Sequence, residues 1–362
     1  MKKIRMIGLT ALALLWVILT CAAWFGPADD FSDSERRMLA QSPKLTTKTV
    51  LDGKFMTEFE SYTLDQFPLR DSFRTLNACL TYYLLGQTDN NGIYLSDGYA
   101  AKMEYPLNES SIGNAIARFT DLYDMYLTGC NVRFALVPDK NCYLAGEAGA
   151  LSMDYDALYA RMAESLPWAD FIDLRSHLTI DDYYRTDTHW RQERLLPAAR
   201  AIAEKLGVTV PEFREGQLER PFYGVYYGQA ALPMEPDVLR YLTNEVLENC
   251  TVKLHDNGST AAVLDMTKLQ SKDLYDVFLS GAAAVLEITN PAGQAGRELI
   301  VFRDSFGSSM VPLLVNDYET VWVLDTRYVN PAMLGNFVDF RGQDVLFLYS
   351  TLILNSSSAL RK

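Results

Sequence analysis

Several short runs of this chain are almost wholly apolar, and their placement between helix-like stretches leaves little choice of fold. "VRFALVP" at 132–138 and "ADFIDL" at 169–174 follow helical spacing at 110–128 and 155–166, and a further helix is predicted over 190–205. The rhythm returns with "AAAVLEIT" at 282–289, "ELIVFRDSFGSSMVPLLV" at 298–315, "ETVWVLD" at 319–325 and "QDVLFLYS" at 343–350. Buried strands alternating with helices point to an α/β domain whose sheet is mostly parallel and joined by crossover helices. Residues 208–270 interrupt the pattern; they are predicted to be an irregular insertion with short strands, whose tyrosines in clusters such as "FYGVYYG" are read as core, with stacking on a sugar as the alternative. Ahead of the body, "LDGKFMTEFESYTLDQFPLRDSFRTLNACLTYYLLGQ" spaces its apolar residues by three and four around Pro68, predicting two amphipathic helices. "NNGIYLSDGYAAKM" predicts a strand with turns.

The N-terminus sets a second constraint. Lys2, Lys3 and Arg5 precede "MIGLTALALLWVILTCAAWF", an uncharged run over residues 6–25, and a helix crossing a bilayer needs about 20 apolar residues. Residues 1–26 are therefore read as a membrane anchor with the basic end in the cytoplasm and the remainder outside. A cleaved signal peptide competes, against the length of the run and the lack of a clear small-x-small cleavage site. Lipidation at Cys21 in "ILTCAA" is a further alternative. Residues 27–50, with Asp29, Asp30, Asp33 and Glu35, read as an extended linker, so the folded body runs from 51 to 362.

A net charge of −13 excludes the basic footprint that nucleic-acid binding requires. The five cysteines show no C-x-x-C and no zinc spacing, so no metal and no cofactor are expected. Cys130 and Cys142 flank a predicted strand, whose rise of roughly 3.3 Å per residue puts its ends beyond disulfide reach, and free thiols are expected.

"YYRTDTHWRQE" at 183–193 holds one of only three histidines. Asp187 and His189 could orient and deprotonate a nucleophile, or Asp187 could cap the helix that follows. "RDSFG" at 303–307 offers the nucleophile: Ser305 is predicted just past a buried strand and at the start of a helix, where open α/β sheets place their sites. His189 would then be the base, Asp187 the group that fixes its tautomer, and the Ser305 amide an oxyanion donor. The competing role for Ser305 is a helix cap. Asp304 is a rival orienter, and Arg303 is expected to pair with it or with another buried carboxylate. His177 and His255 lack such a setting and are read as surface or core residues.

Taken together, "TDTHW", "RDSFG", "SDSERRMLAQSPKLT", "GKFMTEFESYTLDQFPLRD", "NNGIYL" and "LVPDKNCYL" resemble the bacterial DHHW proteins, which are similar to the SGNH-hydrolase-like domain of the alginate O-acetylation proteins. The resemblance implies a three-layer α/β/α domain, with Asp187 as orienter, His189 as base and Ser305 as nucleophile. Thr188 stands where the pattern has its first histidine. Asn141, Gly281, Arg303 and Trp190 are candidates for the second oxyanion donor or for substrate contact. The implied activity is acetyl transfer to, or acetyl removal from, a cell-surface polysaccharide, with a membrane-bound acyltransferase supplying acetyl groups if the enzyme is a transferase. The alternative is a non-catalytic glycan-binding or assembly protein that keeps the fold.

Overall fold

The computed structural model describes residues 2–361; Met1 and Lys362, the outer limits of the expected anchor and body, lie outside them. The chain divides at Asn91 into two compact units, with residues 227–233 belonging to the first and the remainder of 92–362 to the second.

The first unit begins with helix α1 (Lys2–Phe25). It is largely apolar and unburied from Lys3 to Phe25, about 35 Å long at 1.5 Å per residue, enough to cross a bilayer. This single N-terminal apolar helix is consistent with a signal anchor or a signal peptide. The segment expected as a linker is folded. Phe31–Ser32 pairs antiparallel with Arg37–Met38, and helix α2 (Thr47–Leu51) starts at a Thr46 capping box. Helix α3 (Lys54–Asp65) stops before Pro68, and helix α4 (Arg70–Cys79) runs on into a π turn through Leu84. One acid of the expected linker is engaged, since Glu35 pairs with Arg37, Arg70 and Arg74, while Asp65 of α3 takes Arg37 at 2.6 Å.

The second unit carries helices α5 (Glu109–Leu122), α6 (Asn141–Ala148), α7 (Tyr155–Ser165) and α8 (Leu196–Leu206) around one sheet. Its strands are β1 (Asn131–Val137), β2 (Asp170–Asp173), β3 (Thr251–Leu254), β4 (Thr260–Ala261), β5 (Val285–Thr289), β6 (Gln294–Arg303), β7 (Tyr318–Leu324) and β8 (Asp344–Ser350). The sheet order is β4-β3-β5-β7-β6-β8-β1-β2. The five strands from β7 to β2 are parallel, and β5, β3 and β4 extend one side antiparallel. The α/β fold with a mostly parallel sheet is the one expected. The 208–270 insertion is more regular than expected, since it supplies β3 and β4 as well as a separate hairpin of Arg214–Phe222 with Asp237–Thr243.

Alternate residues of the central strands enter two cores. Leu299, Val301, Leu346 and Leu348 meet Ala199 and Ile202 of α8; Ile300, Phe302, Phe347 and Tyr349 meet Phe119 of α5 and Leu158 of α7. Each strand is thus apolar on both faces, which is why these segments read as unbroken hydrophobic runs. All five cysteines are free, with Cys130 and Cys142 on either side of β1.

The helix expected over 190–205 starts later. Trp190 bridges to Tyr183, residues 192–194 form a 3-10 turn, and α8 begins at Leu196 with Pro197 in its first turn. The helix expected from "SSMVPLLV" is one α turn, Gly307–Met310, continued by a 3-10 turn through Leu314.

Candidate active site

β6 lies inside the parallel part of the sheet and ends at Arg303, so the next residues emerge where loops beyond the carboxyl ends of strands are free to build a site. The Asp304 carboxylate accepts from the Phe306 amide at 3.0 Å and from the Ser350 amide, at the end of neighbouring β8, at 2.7 Å. Asp304 therefore holds the turn and does not orient the histidine. Ser305 sits at the apex, half-buried between buried neighbours. Gly307 is required by the close turn: a Cβ there would meet Cγ and Cδ of Arg303 at 3.0 and 3.2 Å.

Arg303, a candidate for substrate contact, is fully buried and 3.6 Å from Asp325. Burial lowers its guanidinium pKa, and the side chain braces the turn from beneath.

The histidine arrives on a loop tied down at both ends. Tyr184 N–H donates to the His189 carbonyl at 3.1 Å, and the Asp237 carboxylate accepts from the amides of Arg185 and Thr186 and from the Thr186 hydroxyl. Asp187 is fully buried. Its Oδ1 accepts from the His189 amide at 3.0 Å and from Nδ1 at 2.6 Å, while Oδ2 accepts from the Val225 amide at 2.8 Å. With Nδ1–H donated to a carboxylate, Nε2 presents its lone pair, and Ser305 Oγ lies 2.8 Å from it. Asp187 caps no helix, because α8 begins at Leu196.

Gly224 completes this cradle, since a Cβ there would run into the backbone and Cβ of Asp187. Gly224→Ala is expected to cost about 1–3 kcal/mol of stability, as forced overpacking does, and to slow turnover by moving the carboxylate. Urea unfolding and ester turnover of the variant check this, and unchanged values in both would contradict it.

Trp190, the other candidate for substrate contact, is fully buried. Its indole N–H lies 3.1 Å from the Phe306 carbonyl and 2.9 Å from Ser309 Oγ. It ties the histidine loop to the serine turn and offers nothing to solvent. Asn141 is likewise engaged: its Oδ1 accepts from Tyr94 and its amide donates to the Leu151 carbonyl. Gly281 has φ +81°, its N–H donates to Phe278 O and its carbonyl accepts from Arg303. The Gly281 N–H is thus already used, as is one of the two Asn141 Nδ2 hydrogens. Among the described residues the Ser305 amide makes no hydrogen bond, so that N–H remains available. Thr188, at the departure from the family pattern, donates its hydroxyl to Tyr226. His177 is exposed, and His255 pairs with Glu287 on β5 at 2.9 Å.

Two contributors carry little or no local sequence signal. Tyr275 stacks flat on the His189 ring, with centroids 4.0 Å apart and planes 7° apart, and its hydroxyl bonds Ser309 Oγ at 2.7 Å. Lys140 follows the buried strand β1. Its ammonium is itself buried and donates to the carbonyls of Tyr184 and Arg185 at 2.9 and 3.2 Å, so it fastens the loop that carries Asp187. The only cue was a lysine directly after "VPD" at the end of an apolar run.

Burial lowers the Lys140 pKa to about 7 from 10.5, with Asp187, Asp237 and Asp139 acting the other way. Unfolded chains hold that proton more tightly than the native protein between these values, so the stability contributed at Lys140 is complete above the unfolded value and is lost as pH falls toward about 7. Lys140→Met, which strands two carbonyls, is expected to destabilise by about 1–3 kcal/mol, with the gap from wild type widening as pH rises. Urea unfolding near neutral pH and again at alkaline pH measures this; a gap independent of pH would contradict it.

Residues 149–324 match the family model described as DHHW protein. A DHHW family protein from Eubacterium siraeum superposes with a TM-score of 0.57 at 22% identity, covering 75% of this chain and 94% of that one. Bacillus cereus PatB1, in a structure with a sulfonyl adduct, also gives 0.57, at 18% identity over 72% of this chain and 95% of that one. Both share the fold of this chain. The O-acetyltransferase domain of Pseudomonas putida AlgJ matches with a TM-score of 0.45 at 16% identity, covering 73% of this chain and 92% of that one. No curated protein matches the chain.

Proposed function

We propose that this chain, whose residues 149–324 match the DHHW family, is an extracytoplasmic serine enzyme that handles O-acetyl groups on a cell-surface polysaccharide. The observation that carries the reading is the unbroken relay from Ser305 Oγ to His189 Nε2 at 2.8 Å and from His189 Nδ1 to Asp187 at 2.6 Å. A hydroxyl is a weak nucleophile until a base removes its proton, and this relay supplies the base in the correct tautomer.

In the first half-reaction His189 Nε2 takes the Ser305 proton while Oγ attacks the acetyl carbonyl. The negative charge on the tetrahedral intermediate accepts a hydrogen bond from the Ser305 amide. Collapse expels the donor's oxygen, protonated by His189, and leaves acetyl-Ser305. In the second half a sugar hydroxyl or water gives its proton to His189, attacks the acyl carbon, and collapse returns Ser305 with its proton. Asp187 keeps its negative charge throughout and stabilises the imidazolium. The flat Tyr275 ring and the Phe306 ring, its centroid 5.0 Å from that of His189, restrict the imidazole to the productive plane.

The basic residues Lys2, Lys3 and Arg5 at the start of α1 support an orientation that puts this site outside the cytoplasm. Acetyl-CoA is cytoplasmic, so a transferase at this position draws its acetyl groups from a membrane-bound acyltransferase.

Full-length protein with an activated acetyl ester and a candidate polysaccharide tests the reading. Acetyl should reach sugar hydroxyls or be released as acetate at a rate that phenylmethanesulfonyl fluoride abolishes. Turnover no faster than without protein, from folded material, would favour the glycan-binding or assembly reading.

A further inference from the structure

Helix α4 is inside out. Its charged side faces the interior of the first unit: Arg70 pairs with Glu35 and Asp65, Arg74 pairs with Glu35 and donates to the Gly228 carbonyl at 3.0 Å, and Ala78 beside them is fully buried. Its opposite side, continued through the π turn, presents Leu69, Phe73, Leu76, Leu80, Tyr83 and Leu84, each between 42% and 74% exposed. At about 100° per residue Phe73, Leu76 and Leu80 fall within an arc roughly 60° wide, with Leu69 at the cap before them and Tyr83 and Leu84 in the π turn after them, so the exposed apolars of α4 form one stripe rather than scattered surface apolars, which would need no explanation. Met56 and Leu64 of α3 add exposed apolar surface to the same unit.

The anchor helix belongs to this unit too, and the Trp24 ring near its end lies 6.0 Å from Phe59 of α3, which in turn stacks on Phe55. The stripe is therefore on the part of the molecule that adjoins the membrane end of α1. A helix with one apolar face of leucine and aromatic residues suits the boundary between headgroups and acyl chains.

We propose that the stripe of α4 seats on the outer surface of the bilayer that α1 enters, so that the first unit is a membrane-lying platform. The proposal rests on α1 being an anchor and is independent of the acyl chemistry. Its consequence is that the body stays on the membrane even when its covalent tie to α1 is cut.

The test uses the full chain with a protease site inserted between Gly26 and Pro27, reconstituted in vesicles of phosphatidylethanolamine and phosphatidylglycerol. After cleavage the body should sediment with the vesicles and resist high salt. Leu76→Glu with Leu80→Glu should lower the retained fraction at least about tenfold, by removing buried apolar area and adding charge, with the melting temperature unchanged because both positions are exposed. Thr63→Glu with Thr88→Glu adds the same charge at exposed polar positions and should leave retention as in the unmodified chain. Release of the unmodified body on cleavage, or equal retention of the Leu76/Leu80 variant, would overturn the proposal. So would sedimentation of the body without vesicles, which would instead assign the stripe to contact between copies. Ester turnover read on the same samples separates this outcome from a failure of the enzymatic reading.

Discussion

Ser305→Ala is expected to lower ester turnover by on the order of 10⁵ to 10⁶, the scale lost when a catalytic serine is removed, while leaving the melting temperature within about 2 °C of wild type. The two halves of this expectation come from the same geometry. Ser305 is half-buried, and the partner of its hydroxyl is His189. The short helix that follows takes no side-chain cap, so the hydroxyl does nothing for its start. Ester hydrolysis and thermal unfolding of one preparation check both halves. A large loss of stability with residual turnover would restore the cap role that serine so often has.

Asp187→Asn is expected to slow turnover by on the order of 10⁴ with the fold intact, because an amide can donate to Nδ1 and so turn the Nε2 lone pair away from the serine. Burial sharpens the effect here. Asp187 is wholly enclosed, and its carboxylate accepts from two backbone amides as well as from the ring. A pH profile of kcat/KM for the variant is the measurement, and an unaffected rate would remove Asp187 from the mechanism.

These expectations rest on residues that the sequence places well. Asp187, His189 and Ser305 were legible because their neighbourhoods are unusual: an acid two residues before a scarce histidine, and a serine just beyond a run with no polar alternation. The parallel strands were legible for the same reason, as both faces of β1, β6 and β8 are apolar.

What was hidden depends on tertiary partners. Trp190 and Gln192 fit a helical pattern, yet the indole is bonded to the serine turn, and the Gln192 amide joins the Ser309 carbonyl to the Leu242 amide. Those bonds delay α8 to Leu196. Residues 251–254 and 260–261 are too short to signal strands; the first forms on the edge that β5 offers, and the second pairs with the first. Residues 27–50 look like a linker until Arg70 and Arg74 of α4 supply partners for Glu35. Tyr275 lies in "SKDLYDVFLSG", a mixed stretch without a motif, and nothing local announces that its ring covers His189. Gly281 was a plausible oxyanion donor by residue type, but its N–H is taken by the Phe278 carbonyl.

The most direct test of the central claim is intact-mass spectrometry of the full chain after brief exposure to an activated acetyl ester, with Ser305→Ala treated alongside. An acetyl adduct that forms on the wild-type chain and is absent from the variant is the predicted result. No adduct and no turnover from folded wild-type protein, or an adduct that persists on Ser305→Ala, would contradict an acyl-Ser305 intermediate.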